Sequence, residues 1–368
     1  RAVRLAAATV AAGASCAGLA ANLTWGSVGN DVFGLQQTAA QALLSGQNPY
    51  APTVPSIQVV APGVAAPIDL HFPYGPSLPI LEAPFRLLGD VRVLHVLAAV
   101  LTVAVVVILA RRAGTLDVTA CLLMAFPLTI GMIIFSWIDV ISMAGFSTWL
   151  VLHRSHPRIA TVALAIALAA RPTTLIALVP IVFWSIRARR QVVIAGALAT
   201  LIVLPFLVAT GYSAFYHDLV GVFLAVFPRF DSLTVNSFLH SVGLPILPAA
   251  ASSLVVGATM VAVLRKRPDS YGDLMTASAV IVTVAFLVAK WAYFNYYYNA
   301  AVLLVMAVAG DGLELDAAEM IRPPAPLLIG ADFLRRRFPR SALRRLRPGG
   351  ALHGRPLHQD TGEAAPQH

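Results

Sequence analysis

The sequence predicts an all-α polytopic membrane protein, a bundle of about ten transmembrane or re-entrant helices. Three observations predict it. Charged residues make up only 12% of the 368-residue chain and hydrophobic ones 58%, whereas soluble domains carry roughly 25% charged residues. Apolar runs of about 18 residues or more recur along the chain. Arginine clusters separate these runs at Arg1/Arg4, Arg111-Arg112, Arg154/Arg158, Arg187/Arg189/Arg190, Arg265-Lys266-Arg267 and in the tail.

If all these clusters are cytoplasmic, the spans come in pairs. A first span over 5–24 exits outward. Its charged start resembles a signal peptide, but its long apolar body and the spans that follow favour a retained signal-anchor. The chain returns over 92–110, goes out over 118–136 and comes back over 140–153. Residues 159–184 are basic at both ends, so a pair of short helices bent at Arg171-Pro172 keeps both clusters inside; proline breaks the helix there. Further spans fall at 191–210, 247–264, 273–290 and 296–310. Residues 1–310 thus form one membrane domain with two long outer loops, 25–90 and 211–246. Residues 311–368 read as a basic, disordered cytoplasmic tail. No internal repeat of the transporter kind is visible.

Net charge is +9, but eight arginines lie between Arg335 and Arg355. Beside membrane spans such a tail marks the cytoplasmic face and meets anionic membrane lipid rather than nucleic acid. Cys16 and Cys121 both lie in apolar segments, so neither a disulfide framework nor a metal site is indicated. There is no Walker loop, G-x-G-x-x-G or H-E-x-x-H pattern, and no adjacent acidic pair on an outer loop. No metal and no cofactor are expected.

The first outer loop begins with NDVFGLQQTAAQALLSGQNPY, residues 30–50. Val32, Leu35, Ala39 and Leu43 recur at helical spacing, with Gln36, Gln37 and Gln41 off that stripe. This predicts an interfacial amphipathic helix that stops at Gly46. Asp31 at its start fits a helix cap; it also fits a general base at the membrane surface. His71-Phe72-Pro73-Tyr74-Gly75-Pro76 offers interfacial aromatics that either anchor the chain or wall a sugar or lipid site. Asp139 stands at a span end, where an acid is ordinarily just solvated, while inside a bundle it is a functional candidate; Arg171 at the bend is a similar case, costly unless paired or wet. Asn236 and His240 lie on the second loop. Lys290, one of two lysines in the chain, stands beside Tyr293, Tyr296, Tyr297 and Tyr298; it reads as a snorkelling anchor or as a ligand for lipid phosphate.

In their order, these pieces resemble the polyprenol-phosphate-mannose-dependent α-mannosyltransferases of the GT-C class, glycosyltransferase family eighty-seven, common in actinobacteria. The matching residues are Asp31 leading to Leu43-Leu44-Ser45-Gly46-Gln47-Asn48-Pro49-Tyr50, then Phe72-Pro73-Tyr74-Gly75-Pro76. Ser136-Trp137-Ile138-Asp139 stands for the family's Gly-Gln-hydrophobic-acid motif; Arg171-Pro172-Thr173, Asn236-Ser237 and Tyr296-Tyr297-Tyr298 follow. The likeness covers residues 5–310. Trp137 departs from the family's Gln, and Lys290 and Asn295 stand near the tyrosines where a His is expected.

The resemblance implies a GT-C-like bundle at the plasma membrane with its working face periplasmic. It implies transfer of a sugar, foremost mannose, from a polyprenyl-phosphate donor to a glycolipid or glycan acceptor with inversion. Asp31 would be the base, and Tyr74, Asp139, Arg171, Asn236, Lys290, Tyr296 and Tyr297 would bind substrate. A lipid or sugar-lipid transporter, or a non-catalytic partner in envelope assembly, are the alternative classes.

Overall fold

Apolar helices with few polar side chains dominate the fold. The computed structural model describes residues 31–61, 64–115, 127–221, 224 and 229–315, all within one compact unit, Arg1–Ile321. The expected first span at 5–24, much of that at 118–136 and the tail beyond Leu315 lie outside the described residues.

The 25–90 segment, expected as the first outer loop, carries helix α1 (Asp31–Leu44), strands β1 (Val54–Ala61) and β2 (Val64–Leu70) and helix α2 (Ser77–Leu87). The bundle follows with α3 (Arg92–Ala113), α4 (Pro127–Ile134), α5 (Asp139–Leu152), α6 (Pro157–Ala170), a 3₁₀ turn at Pro172–Thr174, α7 (Leu175–Trp184) and α8 (Ile186–Thr210). The 211–246 segment, expected as the second outer loop, holds α9 (Tyr212–Tyr216), a π turn at His217–Gly221 and α10 (Val235–Ser241). Three helices close the described chain: α11 (Ala249–Leu264), α12 (Tyr271–Leu287) and α13 (Phe294–Ala309).

Two described helices, α3 and α8, are long and apolar enough to cross a membrane alone, with 22 and 25 residues. The α4–α5 pair makes a third candidate if its 119° bend is a broken span. α6, α11, α12, α13 and the Pro172–Trp184 segment are shorter apolar helices. Helix α11 buries no residue and leaves Leu254 74% exposed. Apolar side chains facing outward in this way suit lipid rather than water.

The all-α expectation departs in one place. β1 and β2 form an antiparallel hairpin, with Val54 opposite Leu70 and Ser56 opposite Ile68. Strand alternation turns Val54 and Ser56 inward while Pro55 and Ile57 are exposed. The chain breaks at Arg171, whose backbone is extended at φ −149°, because Pro172 follows it. Beyond α13 the chain does not leave at once. Tyr271 donates its N–H to the Leu313 carbonyl at 2.9 Å, and Ser270 bridges Glu314.

Small residues bring the helices close. α5 packs most extensively on α6, and a Cβ at Gly145 would stand 2.6 Å from the Ala163 carbonyl oxygen. Such contacts are how helices associate where lipid removes the hydrophobic drive. Trp149 of α5 donates to the Gln191 side chain at 2.8 Å, and Gln191 donates to the His153 carbonyl at 2.9 Å, tying α8 to α5.

Candidate functional site

Helix α1 places the first candidate. Asp31 is the first residue of this helix among the described residues. The helix ends before Gly46, whose φ of +71° is the left-handed conformation glycine favours. The apolar stripe buries Leu35 and Ala39, as its spacing predicts. Gln36, expected on the polar side, is instead fully buried: its amide donates to the Ser136 carbonyl at 2.6 Å. Phe33 lies under the Arg92 guanidinium, 4.3 Å from ring centroid to Cζ. Three residues of one helix thus meet three different parts of the chain, because Asp31 accepts a hydrogen bond from Ser56 of β1. The β-hairpin, which the sequence reading did not foresee, therefore orients the candidate base.

The Asn48-Pro49-Tyr50 run positions the second candidate. The Asn48 side-chain amide donates to Thr210 at 2.9 Å at the end of α8, and its side-chain oxygen Oδ1 accepts the Tyr50 N–H at 3.1 Å. Tyr50 is buried among Phe72, Phe206 and Phe215, and its hydroxyl donates to the Tyr74 carbonyl at 2.7 Å. The other side of this loop is fixed by Gly75. Its N–H bonds to the Ala170 carbonyl at 3.1 Å, and a Cβ there would sit 1.7 Å from the Ala169 oxygen. Only glycine permits that approach. Tyr74 is thereby pressed against the end of α6, one residue from Arg171.

Arg171 and Asp139 meet in the interior. Arg171 Nη1 lies 2.6 Å from Asp139 Oδ2, with Asp139 fully buried. Asn295 and Asn299, one turn apart on α13, donate to Asp139 Oδ2 at 3.0 Å and Oδ1 at 2.9 Å. Arg171 also donates to Thr173 at 3.1 Å and stands 4.6 Å above the Tyr296 ring. A buried carboxylate with a guanidinium and two amides is a satisfied group. The turn that delivers Asp139 is strained: Ser136, φ +54°, is the one described non-glycine residue with positive φ.

These groups converge on Tyr74. Burial holds its phenol above the ordinary range, and the charge of Asp31 pushes the same way; Arg171 opposes, while Tyr296 and Asp139 add to the rise. Asp31, Tyr74, Asp139, Arg171 and Tyr296 therefore share one electrostatic neighbourhood.

Three other candidates instead hold the 211–246 segment, away from those contacts. Asn236 donates to the Ala289 carbonyl at 3.2 Å and accepts the Leu247 N–H at 2.8 Å. Tyr297 donates to the Leu233 carbonyl. Lys290 donates to the Leu224 carbonyl at 3.0 Å and lies 5.4 Å from the Trp291 ring centroid. His240 stacks on Phe230, centroids 3.6 Å apart.

The sequence reading missed Arg229 and Asp231. Arg229 forks onto Asp231 with contacts of 2.9 and 3.2 Å, and Tyr293 donates to the same carboxylate at 3.1 Å. The charge of Asp31 also bears on Arg229. A basic residue two positions from an acid on a loop carries no motif, so only the fold reveals it. A groove of about 260 Å³, lined in part by Gln37, Gln41, Gln47 and Arg86, follows the later turns of α1 and includes none of the candidate residues. No family model, curated protein or solved structure matches the chain.

Proposed function

We propose that the chain is a GT-C-like glycosyltransferase with a bundle of about ten transmembrane or re-entrant helices. It transfers a sugar, foremost mannose, from a polyprenyl-phosphate donor to a glycolipid or glycan acceptor at the periplasmic face of the plasma membrane. The observation that carries this reading is the contact cluster of Asp139, Arg171 and Tyr296, with Tyr74 and Asp31 within electrostatic reach of it, from five separate stretches of chain. Those stretches are the ones that resemble the family's motifs. The left-handed backbone at Ser136 adds support, since the family's motif has glycine there.

In this mechanism Asp31, oriented by Ser56, takes the proton of the acceptor hydroxyl. The hydroxyl oxygen attacks the anomeric carbon from the face opposite the phosphate, the bond to the phosphate oxygen breaks, and the configuration inverts. Lipid phosphate leaves as an anion and needs donors rather than a general acid. Arg171, fixed by Asp139, and the Tyr74 and Tyr296 rings shape the wall of the sugar site.

The test is transfer from labelled polyprenyl-phosphate mannose by purified protein in vesicles, with and without a glycolipid acceptor fraction. Acceptor-dependent loss of label from the donor, with an α-linked product, is expected. Movement of label across the bilayer without acceptor and without product would make the chain a transporter instead.

A further inference from the structure

We infer that Arg229 is the binding site for the phosphate of the lipid-linked donor, and that Asp231 occupies its guanidinium until the phosphate displaces it. The inference rests on the glycosyl-transfer reading for the identity of the ligand but on its own geometry for the site. Arg229 presents two nitrogens to the two oxygens of Asp231, at 2.9 and 3.2 Å. That fork fits a phosphate as well as a carboxylate. The Asp231 side chain is 59% exposed and that of Arg229 26%, so the carboxylate can swing into water while the guanidinium stays. Tyr293 supports both states: its ring lies 5.2 Å from the Arg229 Cζ, and its hydroxyl already donates to an anion at that spot.

The site is rigid where it must be. The carbonyl of Arg229 accepts from Ser232 at 2.6 Å and from Ser237 at 3.1 Å, and Thr234 caps α10 by accepting the Ser237 N–H at 3.2 Å. Leu233 donates its N–H to the Ala292 carbonyl at 2.7 Å. These bonds fold the 229–237 segment on itself and tie it to Ala292 without using the Arg229 guanidinium, whose contacts are Asp231 and the Tyr293 ring. The other two candidate cations are engaged differently: Arg171 is buried against Asp139, and Lys290 is held by the Leu224 carbonyl. The charge of Asp31 also acts weakly on Arg229.

Two substitutions give opposite signs. Binding of polyprenyl monophosphate in detergent micelles is measured for the full chain, for Arg229→Gln and for Asp231→Asn, with uncharged polyprenol and inorganic phosphate as separate probes. Arg229→Gln is expected to weaken polyprenyl monophosphate binding by at least about tenfold, and Asp231→Asn to tighten it by removing the competitor. Competition by inorganic phosphate that is lost in Arg229→Gln supports the assignment; competition that persists unchanged in Arg229→Gln places the phosphate elsewhere and overturns it. If both variants weaken binding alike, the pair is only a loop clamp and the inference is overturned; unchanged binding in Arg229→Gln overturns it too. Phosphate binding that follows these signs in a protein with no sugar transfer would leave the site standing and sink the transfer reading.

Discussion

At the scale of single residues, buried charge does most to define this molecule. Asp139 is satisfied by one guanidinium and two amides, and removing one partner of such a pair costs about 3–5 kcal/mol. Arg171→Leu should therefore destabilise the protein by that order. The double variant Asp139→Leu/Arg171→Leu should lose less than the two single variants summed, as read by unfolding in micelles. Glu82 behaves differently. It is fully buried on α2, neither carboxylate oxygen has a hydrogen-bond partner, and burial pushes its pKa from 4.5 up to about 8. The folded state thus keeps a proton that the unfolded state releases. Stability falls as pH rises from the unfolded value toward about 8, and levels off above it. Glu82→Gln should flatten that slope and raise the apparent melting temperature at pH above about 8.

At the scale of elements, turns rather than helices set the geometry of the site. The left-handed backbone at Ser136 places Asp139 at the head of α5, and Gln36 holds that turn from α1. Ser136→Gly should be neutral or stabilising by about 1 kcal/mol, and Ser136→Val should destabilise, because a β-branched residue resists positive φ. Gly75 is the stricter case. An added methyl would meet the Ala169 carbonyl at 1.7 Å, and backbone cannot yield as a flexible side chain does. Gly75→Ala should cost about 1–3 kcal/mol as overpacking and lower transfer by shifting Tyr74. Tyr50→Phe, which removes only the bond to the Tyr74 carbonyl, should cost about 1 kcal/mol.

At the scale of the whole molecule, what the sequence makes legible divides along physical lines. Hydropathy and arginine clusters locate α3, α8, α11, α12 and α13 to within a few residues, because lipid-facing surface must be apolar wherever it lies in the chain. Asp31, Tyr74, Asp139, Arg171 and Tyr296 are legible because each sits at a break, where a polar or aromatic group at a helix end is conspicuous. Gln36 is hidden, since its burial follows from a carbonyl 100 residues away. Asn299 and Arg229 are hidden for the same reason: their partners come from distant or unpatterned chain. The hairpin lies within a loop whose prolines mask its strand alternation. Asn236 and Tyr297 are conspicuous in the sequence, yet they tie residues 233–236 to the 289–297 segment, Asn236 through the Ala289 carbonyl and Tyr297 through that of Leu233.

The central claim is that the polar groups around Tyr74 form one catalytic site with Asp31 as its base. Asp31→Asn removes the proton acceptor while leaving a side chain that still suits a helix N-terminus. The most direct measurement is therefore the turnover of this variant with saturating polyprenyl-phosphate mannose, beside its donor affinity and its melting temperature. A general base contributes about 10²–10⁴-fold. A fall in turnover of that size, with donor affinity and melting temperature close to those of the native protein, is the predicted result. Full turnover by Asp31→Asn would contradict it.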